Sequence, residues 1–156
     1  MSQASLLSTW QRMSKWVGGK WIFSQFICLK APYFGSIYPR FEALRPGYCE
    51  VRIKKWWPVL NHIGTVHAIA MCNMAEIAGG IMTDATIPVT HRWIPMRMAV
   101  EYLKKAETHL RAVAELTPIP TFGNAAELPV TINILDANDQ VVCRAVIALW
   151  VSPKEG

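Results

Sequence analysis

The chain has 156 residues and a formal charge of +5; 52% of its residues are apolar and 17% charged, below the usual quarter or so. That is enough for one domain with a full core, and it excludes a disordered polymer. The lysines and arginines lie singly or in pairs such as Lys54-Lys55 and Lys104-Lys105, with no arginine-rich run or zinc-finger spacing, so no nucleic-acid partner is expected. Such a basic surface suits an anionic small molecule, or solubility alone. The four cysteines, Cys28, Cys49, Cys72 and Cys143, are far apart and form no CxxC pair. They predict reduced, buried thiols in a cytoplasmic protein, with no metal site. No run reaches the ~20 apolar residues of a membrane span, so stable membrane insertion is not expected. A small domain this apolar hides surface in an interface between copies, which predicts a homodimer or homotetramer.

In chain order, Ser5 to Val17 places Leu6, Trp10, Met13 and Val17 on one helical face, with Ser5 as cap and Gly18-Gly19 as terminator. Lys20 to Lys30 predicts a second helix, stopped by Ala31-Pro32. Trp10, Trp16 and Trp21 are expected to pack these helices on the body; Trp beside Lys and Arg is also an interfacial membrane pattern. Residues 1–35 thus form a helical extension and 36–156 the main body of a single domain. Pro39 to Pro46 predicts a short strand and Pro46-Gly47 a turn. Cys49, Val51 and Ile53 then alternate with Glu50, Arg52 and Lys54, a strand with one wet face.

Val66 to Ile81 is apolar almost all round a helical wheel, which predicts a buried helix. His67, Asn73 and Glu76 interrupt it. A carboxylate there is costly unless it is paired, open to a cleft, or protonated. Downstream, a strand is expected from about Pro95 to Lys105, Glu107-Thr108 turning it into a hairpin with His109 to Leu116. Leu128 to Leu135, the turn Asp136-Ala137-Asn138-Asp139, and Val141 to Val151 follow. The last strand is apolar on both sides apart from Arg144, which predicts burial on both faces. The order is α+β, strands wrapped on one side of a long helix.

A buried helix after two strands, followed by antiparallel strands, resembles the hotdog fold. Asn61-x-x-Gly64-x-x-His67, with an acid nine positions after the histidine, resembles the phenylacetate-degradation type of acyl-CoA thioesterase. Met96 to Ala106 and Leu135-Asp136 are also similar to strands of that family, and the resemblance covers roughly Phe41 to Val151. The N-terminal helices lie outside the usual core and resemble a thioesterase-like subgroup whose function is inferred. The resemblance implies an antiparallel sheet wrapped around a central helix. It further implies acyl-CoA hydrolysis at a site shared across a dimer, with no metal or redox cofactor. The family's glycine pair after the histidine is Ala68-Ile69 here: Ala68 still supplies a backbone N–H, and its methyl narrows the approach.

Thioester hydrolysis needs a clamp for the developing oxyanion and a base or nucleophile. Val66, His67 and Ala68 stand at the helix N-terminus, where N–H groups and the dipole favour negative charge. Glu76 lies nine residues, ~13 Å, along the helix from His67 and on roughly the opposite face. One chain does not bring its own Glu76 to its own helix start; two antiparallel copies do. The expected catalytic set is Glu76 as base or nucleophile, the Ala68 N–H as oxyanion donor, and His67 and Asn61 as orienting groups. Gly64, Asn73, Lys54 and Lys104 are expected around the substrate, with Lys54, Lys55, Lys104 or Lys105 on CoA phosphates. Several residues keep a purely structural alternative. Glu76 pairs with Arg97, Arg111 or Arg144, Asn61 merely caps the helix, and Asn73, at i−3, hydrogen-bonds the Glu76 carboxylate. Two rival functions remain: a 3-hydroxyacyl thioester dehydratase, from His62 fourteen residues before Glu76, and a non-catalytic acyl- or CoA-binding module.

Overall fold

The structure, a computed structural model, describes residues 3–155. Helix α1 spans Gln3–Met13 and α2 spans Gly19–Lys30. Ser5 lies inside α1, not at its cap. The Ala31 N–H donates to the Ile27 carbonyl at 3.0 Å and ends α2, and Pro32 opens a 3₁₀ helix, Pro32–Ile37. Strands β1 (Arg40–Arg45) and β2 (Tyr48–Ile53) form a hairpin whose turn has Gly47 at φ +75°, a left-handed conformation that glycine adopts freely. The long helix α3 is Ala68–Thr86. β3 (His91–Tyr102), β4 (Leu110–Glu115), β5 (Ala126–Leu135) and β6 (Val141–Pro153) follow.

All six strands make one antiparallel sheet in the order β1-β2-β4-β5-β6-β3. The expected hairpin of β3 with β4 is not formed. β3 crosses to the far edge and pairs with β6, from His91 opposite Pro153 to Tyr102 opposite Cys143. β4 slots between β2 and β5. The residues from Leu103 to His109 thus carry the chain across the sheet, and Glu107-Thr108 is part of that crossing.

The sheet curls around α3. Val51, Ala112, Val130, Ile132, Ala145, Ile147 and Leu149 face the helix and are buried, as are Met74, Ala75, Ile77, Ala78 and Met82 from the helix. Burying each large apolar side chain contributes roughly 1.5–3 kcal/mol. Two glycines set how near the helix comes. A Cβ on Gly79 would stand 3.2 Å from Ile132 Cδ1 and 3.3 Å from Ile147 Cδ1, and one on Gly80 would stand 3.1 Å from Trp93 Cη2. The outer face of β6 is not wholly buried: Val142 and Ala148 are covered, whereas Val146 and Trp150 are exposed.

The N-terminal helices are bound into this core. Trp10, Phe23 and Phe41 form an aromatic cluster, with Phe23 edge-on to Trp10 at 5.1 Å and to Phe41 at 5.2 Å. Buried Ser24 accepts from the Phe41 N–H at 2.9 Å and donates to the Lys20 carbonyl at 2.7 Å. Lys20 Nζ donates to the Glu42 carbonyl at 2.8 Å. Of the three tryptophans expected to anchor the helices, Trp10 does so; Trp16 and Trp21 are exposed. No described helix is long and apolar enough to cross a membrane.

Candidate active site on the central helix

The approach to α3 is a tight turn that Asn61 organises. Its Oδ1 accepts from the N–H groups of Ile63 and Thr65, each at 3.1 Å, and its Nδ2 donates to Thr65 Oγ1 at 2.8 Å. Gly64 holds φ +78° there, with open space where a Cβ would be. Asn61 therefore shapes the turn and does not cap the helix. The cap is His67, whose Nδ1 accepts from the Ile69 N–H at 3.0 Å. Its own N–H donates to the Val59 carbonyl at 2.8 Å, which fixes where the helix begins. Ala68 is the first helical residue, and its N–H belongs to the turn whose donors have no carbonyl partner inside the helix. The Val66 N–H donates to the Ala106 carbonyl at 2.9 Å, so the segment with Lys104 and Lys105 runs beside this helix start. Lys54 is exposed just beyond β2, and Lys104 donates to Gln140.

Glu76 is exposed in a helix that is otherwise mostly buried. None of the expected arginines pairs with it: Arg97 engages Glu127, Arg111 engages Asp139 and Glu50, and Arg144 engages Asn133. Glu76 instead lies between two hollows. One, of about 270 Å³, is lined by Glu76, Ile77, Gly80, Ile81 and Asp84 of α3, by residues of α1, α2 and the following 3₁₀ helix, and by Trp93. The other, of about 180 Å³, lies between Glu76 and Pro95, Met96, Arg97 and Met98 of β3, with Ile147. Met71, Met74 and Met82 are buried, while Met96 and Met98 are exposed on this edge strand.

Asn73 does not meet the Glu76 carboxylate. Three residues back along a helix is about 60° around it, and Asn73 points into the 3₁₀ helix. Its Nδ2 donates to the Tyr33 carbonyl at 3.3 Å and to Ser36 Oγ at 3.2 Å. Its buried Oδ1 has no partner among the described residues. With His67, Ile69, Tyr33 and Ser36 it lines a third hollow of about 170 Å³ at the helix start. His62 is exposed on the turn and lines neither hollow beside Glu76.

Sequence reasoning missed two features. Trp93 Nε1 donates to Asp84 Oδ1 at 2.7 Å; burial pushes this carboxyl up, against the opposing pull of that hydrogen bond and of Lys154. Asp84 follows Glu76 by eight residues, which is about 80° round the helix and two turns on, within one broad stripe of its surface, and that was the available signal. The Cys72 Sγ lies 3.2 Å from the Tyr102 hydroxyl, whose pKa the thiol pushes up to about 12. All four cysteines are free; Cys49 and Cys143 are buried, Cys28 and Cys72 only half-buried. Among the described residues no three His, Cys, Asp or Glu side chains converge as a metal site.

The sequence matches the DUF4442 family, described as a domain of unknown function, over residues 19–151. The chain belongs to that family. Among solved structures, this DUF4442 protein is similar to a genomics crystal structure at 46% identity and TM-score 0.83, over 97% of this chain and 99% of that one. It is also similar to a Pseudomonas aeruginosa protein of unknown function described as a probable thioesterase, at 22% identity and TM-score 0.75, over 81% and 91% of the two chains. A thioesterase family protein from Silicibacter pomeroyi matches at 15% identity and TM-score 0.70, over 84% and 96%. No curated protein matches the chain. These likenesses and the sheet wrapped on α3 make the fold a hotdog fold.

Proposed function

We propose that this DUF4442 protein hydrolyses an acyl-CoA or related acyl thioester at a site shared by two copies of the chain, in the cytoplasm. The observation that carries the reading is Glu76: an exposed carboxylate on a buried helix, opening on a hollow beside the edge strand β3, where Arg97 pairs with Glu127 instead of with it. A second copy docked on β3 brings its own α3 start to that hollow. Glu76 then attacks the carbonyl or draws a proton from water, and the partner's Ala68 N–H, with the helix dipole behind it, receives the oxyanion. His67 and Asn61 hold that N-terminus in place. Gly64 lets the turn form, and Asn73 lines the hollow next to it. Lys54 and Lys104, with their neighbours Lys55 and Lys105, meet the phosphates of the thiol carrier.

The test uses two variants that are silent in each other's site. Glu76→Gln removes the base and should lower hydrolysis about 10²–10⁴-fold. Ala68→Pro removes only the oxyanion donor, since proline is well tolerated at the first helical position; it should cost about 10²–10³-fold. Mixed dimers of the two carry one intact site, with Glu76 from one chain and Ala68 from the other, and should recover activity. No recovery on mixing refutes the shared site. No hydrolysis by the unmodified protein across a panel of acyl-CoAs refutes the activity, and would return the chain to the non-catalytic binding class.

A further inference from the structure

The 270 Å³ hollow has walls of two origins. One wall is α3, which contributes Glu76, Ile77, Gly80, Ile81 and Asp84, positions that follow one side of the helix over two turns. The other is the helical extension that the sequence places outside the hotdog core: Leu6 of α1, Ile27 and Lys30 of α2, then Ala31 and Phe34. Exposed Lys30 and Glu76 mark the rim; Leu6, Ile27, Ile77 and Ile81 are buried. Half-buried Trp93 and Asp84 line the far end, tied by their hydrogen bond.

We infer that this hollow is an acyl chamber, built by the N-terminal helices, that takes a single unbranched chain of about eight to ten carbons. The inference rests on the thioesterase reading for the identity of the head group, and on geometry for the tail. Glu76 and Asp84 are eight residues apart, ~12 Å along the helix. An extended hydrocarbon chain of about eight to ten carbons spans that length, and the hollow between the two residues offers about 270 Å³. Its walls away from the rim are mostly aliphatic and aromatic, and at the far end the Asp84 carboxyl, whose pKa burial raises, is held by the Trp93 N–H. Glu76 stands at both the chamber and the hollow beside β3, so a thioester carbonyl at Glu76 has its tail under α1 and α2 and its carrier toward the edge strand.

The experiment measures binding and turnover separately. Binding of straight-chain primary alcohols from four to twelve carbons to the full chain is followed by calorimetry, and kcat/KM is measured on the acyl-CoAs of the same lengths. Affinity should rise about fourfold per methylene up to the eight-to-ten range and then stop rising. Ala31→Phe, at a half-buried position, should shorten the preferred chain by several carbons, and Phe34→Ala should lengthen it. Ile27→Trp, deeper in the wall, repeats the shortening if Ala31→Phe fails to fold. Affinity indifferent to length, or a length profile that none of the three variants shifts, overturns the chamber. Length-dependent alcohol binding with no thioester hydrolysis would leave the chamber standing and remove the enzyme. Hydrolysis whose length preference ignores these variants would do the reverse.

Discussion

The two edges of the sheet are built in opposite ways. At one edge, β1 is covered by α2: Phe41 is fully buried, Ser24 caps its N–H, and Lys20 bonds both the carbonyl and the carboxylate of Glu42. At the other, β3 is twelve residues long and bare, with Ile94 61%, Met96 47% and Tyr102 51% exposed. A long apolar edge with free backbone groups is a template for another strand unless something blunts it. The N-terminal helices cover one edge; among the described residues no helix or strand covers the other, which is blunted only by Pro95, the register shift at Pro95/Arg97 and the charge of Arg97. The contrast teaches that the two edges do different work: the extension completes the fold at one, while the other is left open, and Glu76 lies beside the open one.

The sharpest way to break the contrast is to charge the bare edge. Ile94→Asp with Met96→Asp should leave the folded monomer intact, abolish self-association in sedimentation, and take hydrolysis to background; full activity in a monomeric variant would end the shared-site reading. The matching change at the covered edge, Phe41→Ala, should act on folding instead. It should lower unfolding free energy by about 3–5 kcal/mol in a denaturant titration while the remaining folded protein self-associates as before. Ser24→Ala tests the polar half of the same cover and should cost about 1–3 kcal/mol, since it leaves the buried Phe41 N–H without an acceptor. The smallest effect is expected where β3 is pinned to the helix, at Asp84. Its folded carboxyl holds the proton above the ordinary value of 3.8, so the folded state gains protons relative to the unfolded chain. The associated stability is fully present below that ordinary value and is lost as pH rises through the raised one. Asp84→Asn, which keeps an acceptor for Trp93, should therefore raise the melting temperature at pH 7, and the gain should vanish in acid.

Much of this fold was legible because local pattern and tertiary role agree. Alternation in β2, the glycine-terminated hairpin before it, and the all-round apolar helix leave little choice of element or face. The β3–β4 hairpin was misread because Glu107-Thr108 looks like a return and strand pairing across a sheet leaves no local trace. Nothing in residues 91–102 says that their partner lies near the C-terminus. Trp16 and Trp21 were misplaced for a related reason: a wheel gives a face, and two short helices joined by a tight turn present only part of theirs to the body. At the site, the isolation of Glu76 from other acids drew attention to it, and the pairing of Arg97 with Glu127 instead of with it is visible only in three dimensions. Asn73 shows how coarse an i,i+3 argument is when two different neighbours sit 60° apart around one helix. Asp84 went unnoticed because its partner, Trp93, belongs to a strand that sequence alone set adjacent to β4.

The glycine pair in α3 has a consequence for how the site comes into being. Each glycine weakens a helix interior by roughly 0.8–1.0 kcal/mol relative to alanine, and in proteins most helical stability comes from tertiary packing rather than propensity. Gly79 and Gly80 are tolerated because the residues that crowd them, Ile132, Ile147 and Trp93, come from three different strands. The helix that carries Glu76 thus has little order of its own to lend. Its packing depends on the sheet, and the position of the Glu76 carboxylate therefore depends on β3, β5 and β6 lying against Gly79 and Gly80.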